Sequence, residues 1–192
     1  MNKRIVSLCT IMLVMSPFAK CQTSTWTPDK AHSEVDFSVM HLGLSKVHGR
    51  FGNIGGTITL NEADTSKSTV NVTIDVSTLD TGVGARDNDV KGANFFDVAH
   101  FPVATFVSTG VTRSGSGLTV RGNLTLHGIT EPVTLEVEAP TGPVPGMDKK
   151  PHFGFSAKTT ISRTAFGIGS KVPSAVVGDE VNISIDLDVA KQ

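Results

Sequence analysis

Tyrosine is absent from this chain of 192 residues, tryptophan occurs once, and the only two cysteines, Cys9 and Cys21, stand within the first 21 positions. A domain that begins after them has no thiol, which excludes disulfides, thiolate nucleophiles and thiolate metal sites together. Clusters of Lys and Arg are also missing. Without Lys3, Arg4 and Lys20, the 17 basic residues fall to 14 against 18 acidic ones, a net charge of −4. Nucleic acid and anionic membrane surfaces are therefore poor partners. No apolar run approaches the roughly 20 residues that an integral membrane helix needs. The longest, Ile5 to Val14, follows Met1-Asn2-Lys3-Arg4 and has the form of a secretory signal. Cleavage is expected after Cys21, at Ala19-Lys20-Cys21, giving a signal peptide over 1–21, a single domain over 22–192 and a periplasmic or secreted protein. Lipoprotein anchoring by acylation of Cys21 is the rival reading. It is disfavoured because Lys20 stands where such signals carry a small residue.

Helical periodicity is nearly absent, and what replaces it is alternation with a period of two. Val181, Ile183, Ile185, Leu187 and Val189 share one face against Asn182, Ser184, Asp186 and Asp188. Val70 to Val76, Leu118 to Leu126 and Val133 to Val137 repeat the pattern. Weaker strands are expected over Ser33 to His41, Lys46 to Phe51, Gly55 to Leu60, Val103 to Thr112 and His152 to Ser162. The inward face of the Val103 to Thr112 strand is ambiguous. Arg86 to Lys91 reads as a short surface helix, and Thr141 to Pro151, with three prolines, as a long loop. Nine or ten strands in one domain fit an antiparallel barrel or a sandwich, between which alternation cannot choose. The inward positions are mostly Val, Ile and Leu with Gly122 among them, and side chains of that size can leave an apolar cavity.

Catalytic constellations are lacking. Gly154-Phe155-Ser156-Ala157-Lys158 has no second glycine for a nucleophile elbow, and Gly82-Val83-Gly84 and Gly115-Ser116-Gly117 read as turns rather than phosphate loops. The six histidines, His32, His41, His48, His100, His127 and His152, match no metal-ligand spacing and are read as structural or exposed. No enzyme, cofactor or metal site is expected. The alternative, a haem- or metal-binding protein of the envelope, would rest on His41 and His127.

Four stretches carry a family resemblance. They are Trp26 to Phe37 with Met40-His41-Leu42-Gly43 and Val47 to Phe51; Arg86-Asp87 with Asn94-Phe95-Phe96-Asp97-Val98 and Phe101-Pro102; Gly122 to Thr130 with Pro132-Val133; and Ile161-Ser162-Arg163 with Phe166-Gly167-Ile168. In this order they resemble the YceI-like, polyisoprenoid-binding family. The chain departs from that family's pattern at Asp89-Val90, where His-Leu is usual, and at Ala165, where an acidic residue is common.

The resemblance implies an all-β, lipocalin-like antiparallel barrel of about eight strands, with a short helix near 86–91 and an apolar tunnel. The tunnel would hold a polyisoprenoid, a quinone tail, a fatty amide or another long-chain lipid, for transport, storage or stress protection. Candidate tunnel residues are Val35, Phe37, Val39, Phe95, Phe96, Phe101, Phe106, Phe153, Phe155, Phe166 and Ile168. Of these, Phe37 can serve as core or as tunnel wall. Arg86 and Arg163 are expected to hold the helix and a turn by ion pairs, and an open strand edge or the barrel mouth can support a homodimer.

Overall fold

Alternating Val, Ile and Thr residues cannot satisfy their backbone alone, so each strand here is completed by its neighbours in the sheet. The computed structural model describes residues 23–192; the expected signal segment, with Cys9, Lys20 and Cys21, lies outside the described residues. Eleven strands follow in chain order: β1 Thr23–Pro28, β2 Glu34–His41, β3 Ser45–Phe51, β4 Ile54–Asn61, β5 Thr69–Asp75, β6 Val103–Ser114, β7 Gly117–Leu126, β8 Ile129–Val137, β9 Thr141–Pro145, β10 Pro151–Ser162 and β11 Val177–Lys191. One helix, α1 Gly84–Lys91, precedes β6.

The strands close into an eight-membered antiparallel ring, because β11 pairs with β10 on one side and with β1 and β2 on the other. β1 and β2 act as one interrupted strand: Pro28 faces Val189 and Glu34 faces Asp186, so Asp29 to Ser33 bulge out opposite only two residues. β3 and β4 form a second interrupted strand, paired to β2 and β1. The ring then runs through β5, β6, β7, β8 and β10. The β8–β10 seam is the thinnest, with Ala157 opposite Val137 and Lys158 opposite Glu136.

Two segments differ from the sequence reading. β1 was not anticipated as a strand. Residues 141–151, expected as one loop, instead begin with β9, whose Val144 pairs with His152 and whose Pro145 pairs with Pro151. Pro143 and Pro145 are tolerated because β9 is the outermost strand, where a missing N–H costs no ladder bond. In β6 the phase is resolved by a register shift between Ser108 and Gly110, which turns Ala104, Phe106 and Val111 to the interior together.

One end of the ring is covered by the segment after α1 and by the turn 162–169. Arg163, only 3 % exposed, organises that turn. Its Nε donates to Gly178 O at 3.0 Å, Nη1 to Ile168 O at 2.9 Å and Gly169 O at 2.6 Å, and Nη2 to Val172 O and Val177 O at 2.8 Å each. All five donors of the fork are thereby used on backbone carbonyls. The expected ion pair is thus replaced by carbonyls. Arg86 likewise donates to Thr81 Oγ1 and Thr81 O, both at 2.8 Å, rather than to a carboxylate. Asp179 accepts from the hydroxyls of Thr164, foremost, and Ser162, which lowers its pKa.

Replacing Arg163 by Lys leaves three donors for five carbonyls, and Arg163→Met leaves none. Urea unfolding is expected to give a loss of about 1–3 kcal/mol for the first and a larger loss for the second.

Candidate functional site

The inward faces of the ring do not meet at its centre. Val and Ile reach too short a distance to fill an eight-stranded barrel, and a cavity of ≈ 160 Å³ remains. That is about ten times the roughly 10–15 Å³ that one water requires. The wall runs the length of the barrel, from Val76, Ala104, Leu126 and Val133 to Leu60, Val70, Leu118 and Val137, and includes Ile183, Ile185 and Leu187 of β11. Among the described residues, only Ser68, Thr69 and Thr159 bring polar side chains to it. Two of these are engaged in the wall: Ser68 Oγ accepts from Asn61 N at 3.0 Å, and Thr159 Oγ1 donates to Thr134 O at 2.9 Å. Among the described residues, no ionisable side chain reaches the cavity.

Gly122 explains how one large ring is accommodated. A Cβ at this position would come within 2.4 Å of the Phe106 ring. The glycine expected among the inward residues of β7 is the seat of that phenyl group, which lets Phe106 lie along the wall.

Of the eleven sequence candidates, Val35, Phe106 and Phe155 line the cavity. The other eight stand elsewhere. Phe37 packs on Phe51 with ring centroids 5.4 Å apart, and Phe96 meets Phe51 edge-on at 5.5 Å. Val39 lies toward the β2–β3 hairpin, opposite Val47 and Val181. Phe95 rests against the turn at Gly169, and Phe101 covers Gly128 while meeting His127 at 4.8 Å. Phe153 contacts Trp26 at 4.7 Å, and Phe166 and Ile168 are buried core at 1 % and 5 % exposure. The residues missed were Phe51 and the aliphatic faces of β4, β5, β7, β8, β10 and β11, whose signal was the alternation itself.

The histidines do not converge on the chamber. His127 Nδ1 donates to Phe166 O at 3.0 Å, tying the β7–β8 turn to the end of the barrel, and His41 is exposed at the β2–β3 hairpin. His152 is held between two carboxylates, with Nδ1 2.5 Å from Asp188 and Nε2 3.2 Å from Asp148. The hydrogen bond to Asp188, foremost, raises its pKa.

This fold and cavity define a lipocalin-like barrel with an apolar chamber. The YceI-like domain profile matches residues 26–189, and the chain belongs to the YceI-like family. Protein YceI of Salmonella arizonae and that of Salmonella paratyphi B are each 40 % identical over 156 residues, covering 81 % of both chains. Among solved structures, Burkholderia cenocepacia BcnA superposes with a TM-score of 0.75 at 27 % identity, covering 84 % of this chain and 98 % of that one. A Campylobacter jejuni YceI protein gives 0.70 at 26 % identity, covering 80 % and 90 %. A polyisoprenoid binding domain from Saccharophagus degradans gives 0.62 at 16 % identity, covering 89 % and 100 %, a likeness of fold.

Ala157 lines the cavity, and its neighbour Lys158 faces outward. Ala157→Trp is expected to weaken uptake of a long-chain fluorescent lipid at least about tenfold, since filling the chamber removes the buried contacts, while Lys158→Trp leaves it unchanged. Stability, unlike uptake, is expected to depend on His152. Its pKa is raised in the folded protein, so its contribution is full below its ordinary value of 6.5 and is lost as pH rises through the folded value. The Tm of the native protein should fall across that window more than the Tm of His152→Gln, as followed by circular dichroism.

Proposed function

We propose that this protein is a periplasmic or secreted binding protein, not an enzyme, that holds a polyisoprenoid or another long-chain amphiphile such as a quinone tail or fatty amide. The single observation that carries the reading is the cavity, apolar along the whole barrel and without an ionisable side chain. Such a wall offers nothing to polarise a bond or to accept a proton. What it offers is exclusion of water, worth about 0.8 kcal/mol for each methylene enclosed. A chain of several isoprene units can therefore be held tightly without a charged contact. Export agrees with this role, because such chains need a carrier in an aqueous compartment. The Saccharophagus degradans domain, described as polyisoprenoid binding, supports the same ligand class. Transport, storage and stress protection all follow from one act, sequestration of an insoluble chain.

Haem held by His41 and His127 gains no support. His127 is engaged with Phe166 O, and His41 sits on a different turn.

The test is organic extraction of protein purified from the exporting cell, followed by mass spectrometry, together with titration of the emptied protein with a prenyl quinone. A long-chain molecule in the extract and saturable uptake of one quinone are expected. Absence of both would remove the proposal. Uptake should also change less than about twofold between pH 5 and 9, because no titrating group lines the wall.

A further inference from the structure

A second constellation lies on the outside of the barrel, remote in chemistry from the apolar chamber. It is created by the bulge between β1 and β2. The five residues of the bulge are stitched to the backbone of Asp188 on β11: Asp29 N donates to Asp188 O at 2.8 Å, Ser33 Oγ donates to the same oxygen at 3.0 Å, and Asp188 N donates to Ser33 Oγ at 3.2 Å. Within the bulge, Ala31 N donates to Asp29 Oδ1 at 2.8 Å and His32 N to Asp29 O at 3.2 Å. The side chains of Asp29, His32 and Asp188 are thus brought together by fixed backbone rather than by chance contact of flexible arms.

Their donor atoms all lie within 4.8 Å of one another, and among the described residues this is the group of His, Asp and Glu close enough to share an ion. We propose that Asp29, His32 and Asp188 form a binding site for a divalent zinc-type cation on the outer wall of the barrel.

The donor chemistry suits that class. One imidazole nitrogen and two carboxylate oxygens make a three-ligand set, leaving a position for water, as zinc sites with a mixed His and carboxylate shell do. A tetrahedral ion with bonds of about 2.0–2.1 Å needs its ligands about 3.3–3.4 Å apart. The Asp29 Oδ2 to His32 Nδ1 separation is already 3.0 Å. His32, whose side chain is 70 % exposed, has room to shift outward and admit the ion. The ion takes the place of the proton that these two atoms share.

An outer shell is also built. Asp188 Oδ1 accepts from His152 Nδ1, and His152 Nε2 is fixed by Asp148. That chain orients the Asp188 carboxylate and leaves its second oxygen for the ion, the arrangement that outer-shell partners provide in metal sites. His32, His152 and Asp188 all border one shallow groove, with Thr141, Gly142 and Val144 along it. The ion would therefore fasten the β1–β2 bulge to β11, where the first strand and the last close the ring.

The chain carries its own control. Asp97 and His100 repeat the Asp-x-x-His spacing, with His100 Nδ1 2.9 Å from both carboxylate oxygens, but no third ligand group is gathered there. Chelator-treated protein is titrated with zinc by equilibrium dialysis and with cobalt(II) by visible absorption. One zinc per chain and cobalt d–d bands are expected. His32→Gln and Asp188→Asn should each weaken binding by roughly tenfold or more, and His100→Gln should leave it unchanged. His32 is surface-exposed, so His32→Gln keeps its β-sheet circular dichroism spectrum and isolates loss of the ligand from loss of the fold. No saturable uptake up to about 1 mM zinc, or uptake that His32→Gln leaves intact, overturns the proposal.

Discussion

Closure of the strand ring on β11 is the constraint from which the other features follow. β11 is the longest strand, and it closes the ring, pairing with β10 on one side and with β2 and β1 in succession on the other. A closed antiparallel ring leaves no open edge within the barrel and forces every second residue inward. With Val, Ile and Leu at those positions, an eight-stranded ring encloses more space than its side chains fill. The chamber is therefore a consequence of residue size in a fixed architecture, and it needs no insertion or special loop to create it. The covered end does need special construction. There the Arg163 fork gathers five backbone carbonyls of the turn and of the start of β11.

The same closure accounts for the polar cluster on the outside. The first strand must follow β11 through a change of neighbour, and the five-residue bulge takes up that change. Its outward side chains meet those of β10 and β11 on the wet face of the sheet. Inside and outside are thus chemically opposite across a single strand. Leu187 faces the chamber, and Asp188 next to it faces the Asp and His groups. The alternation that buries one face gives the other its charge.

Much of this was legible in the residues. The alternation of 181–189 and its three companions gave the strands and their inward faces, and the stretches from Trp26 to Ile168 gave the family and the closed barrel. The chamber's wall was legible in the same positions, whereas most of the aromatic side chains stand away from it. Phe166 and Ile168 proved to be core, and Phe37, Phe95, Phe96 and Phe101 pack against one another's neighbours at the covered end, because large rings fill space rather than leave it. β6 could not be phased from sequence, since a bulge at Ser108 to Gly110 changes the parity of inward residues midway. β9 hid behind its prolines. The Asp29, His32 and Asp188 grouping joins residues 156–159 positions apart, a proximity that no local spacing announces.

The central claim is that a long apolar chain lies inside the ring. Photolysis of a fatty or prenyl chain carrying a diazirine, bound to the protein and mapped by peptide mass spectrometry, tests it most directly. Adducts are expected on the inward residues of β5, β7 and β11, such as Val72, Leu124 and Ile185. Adducts confined to exposed apolar residues such as Leu42, Leu44, Val103 and Val107 would contradict it.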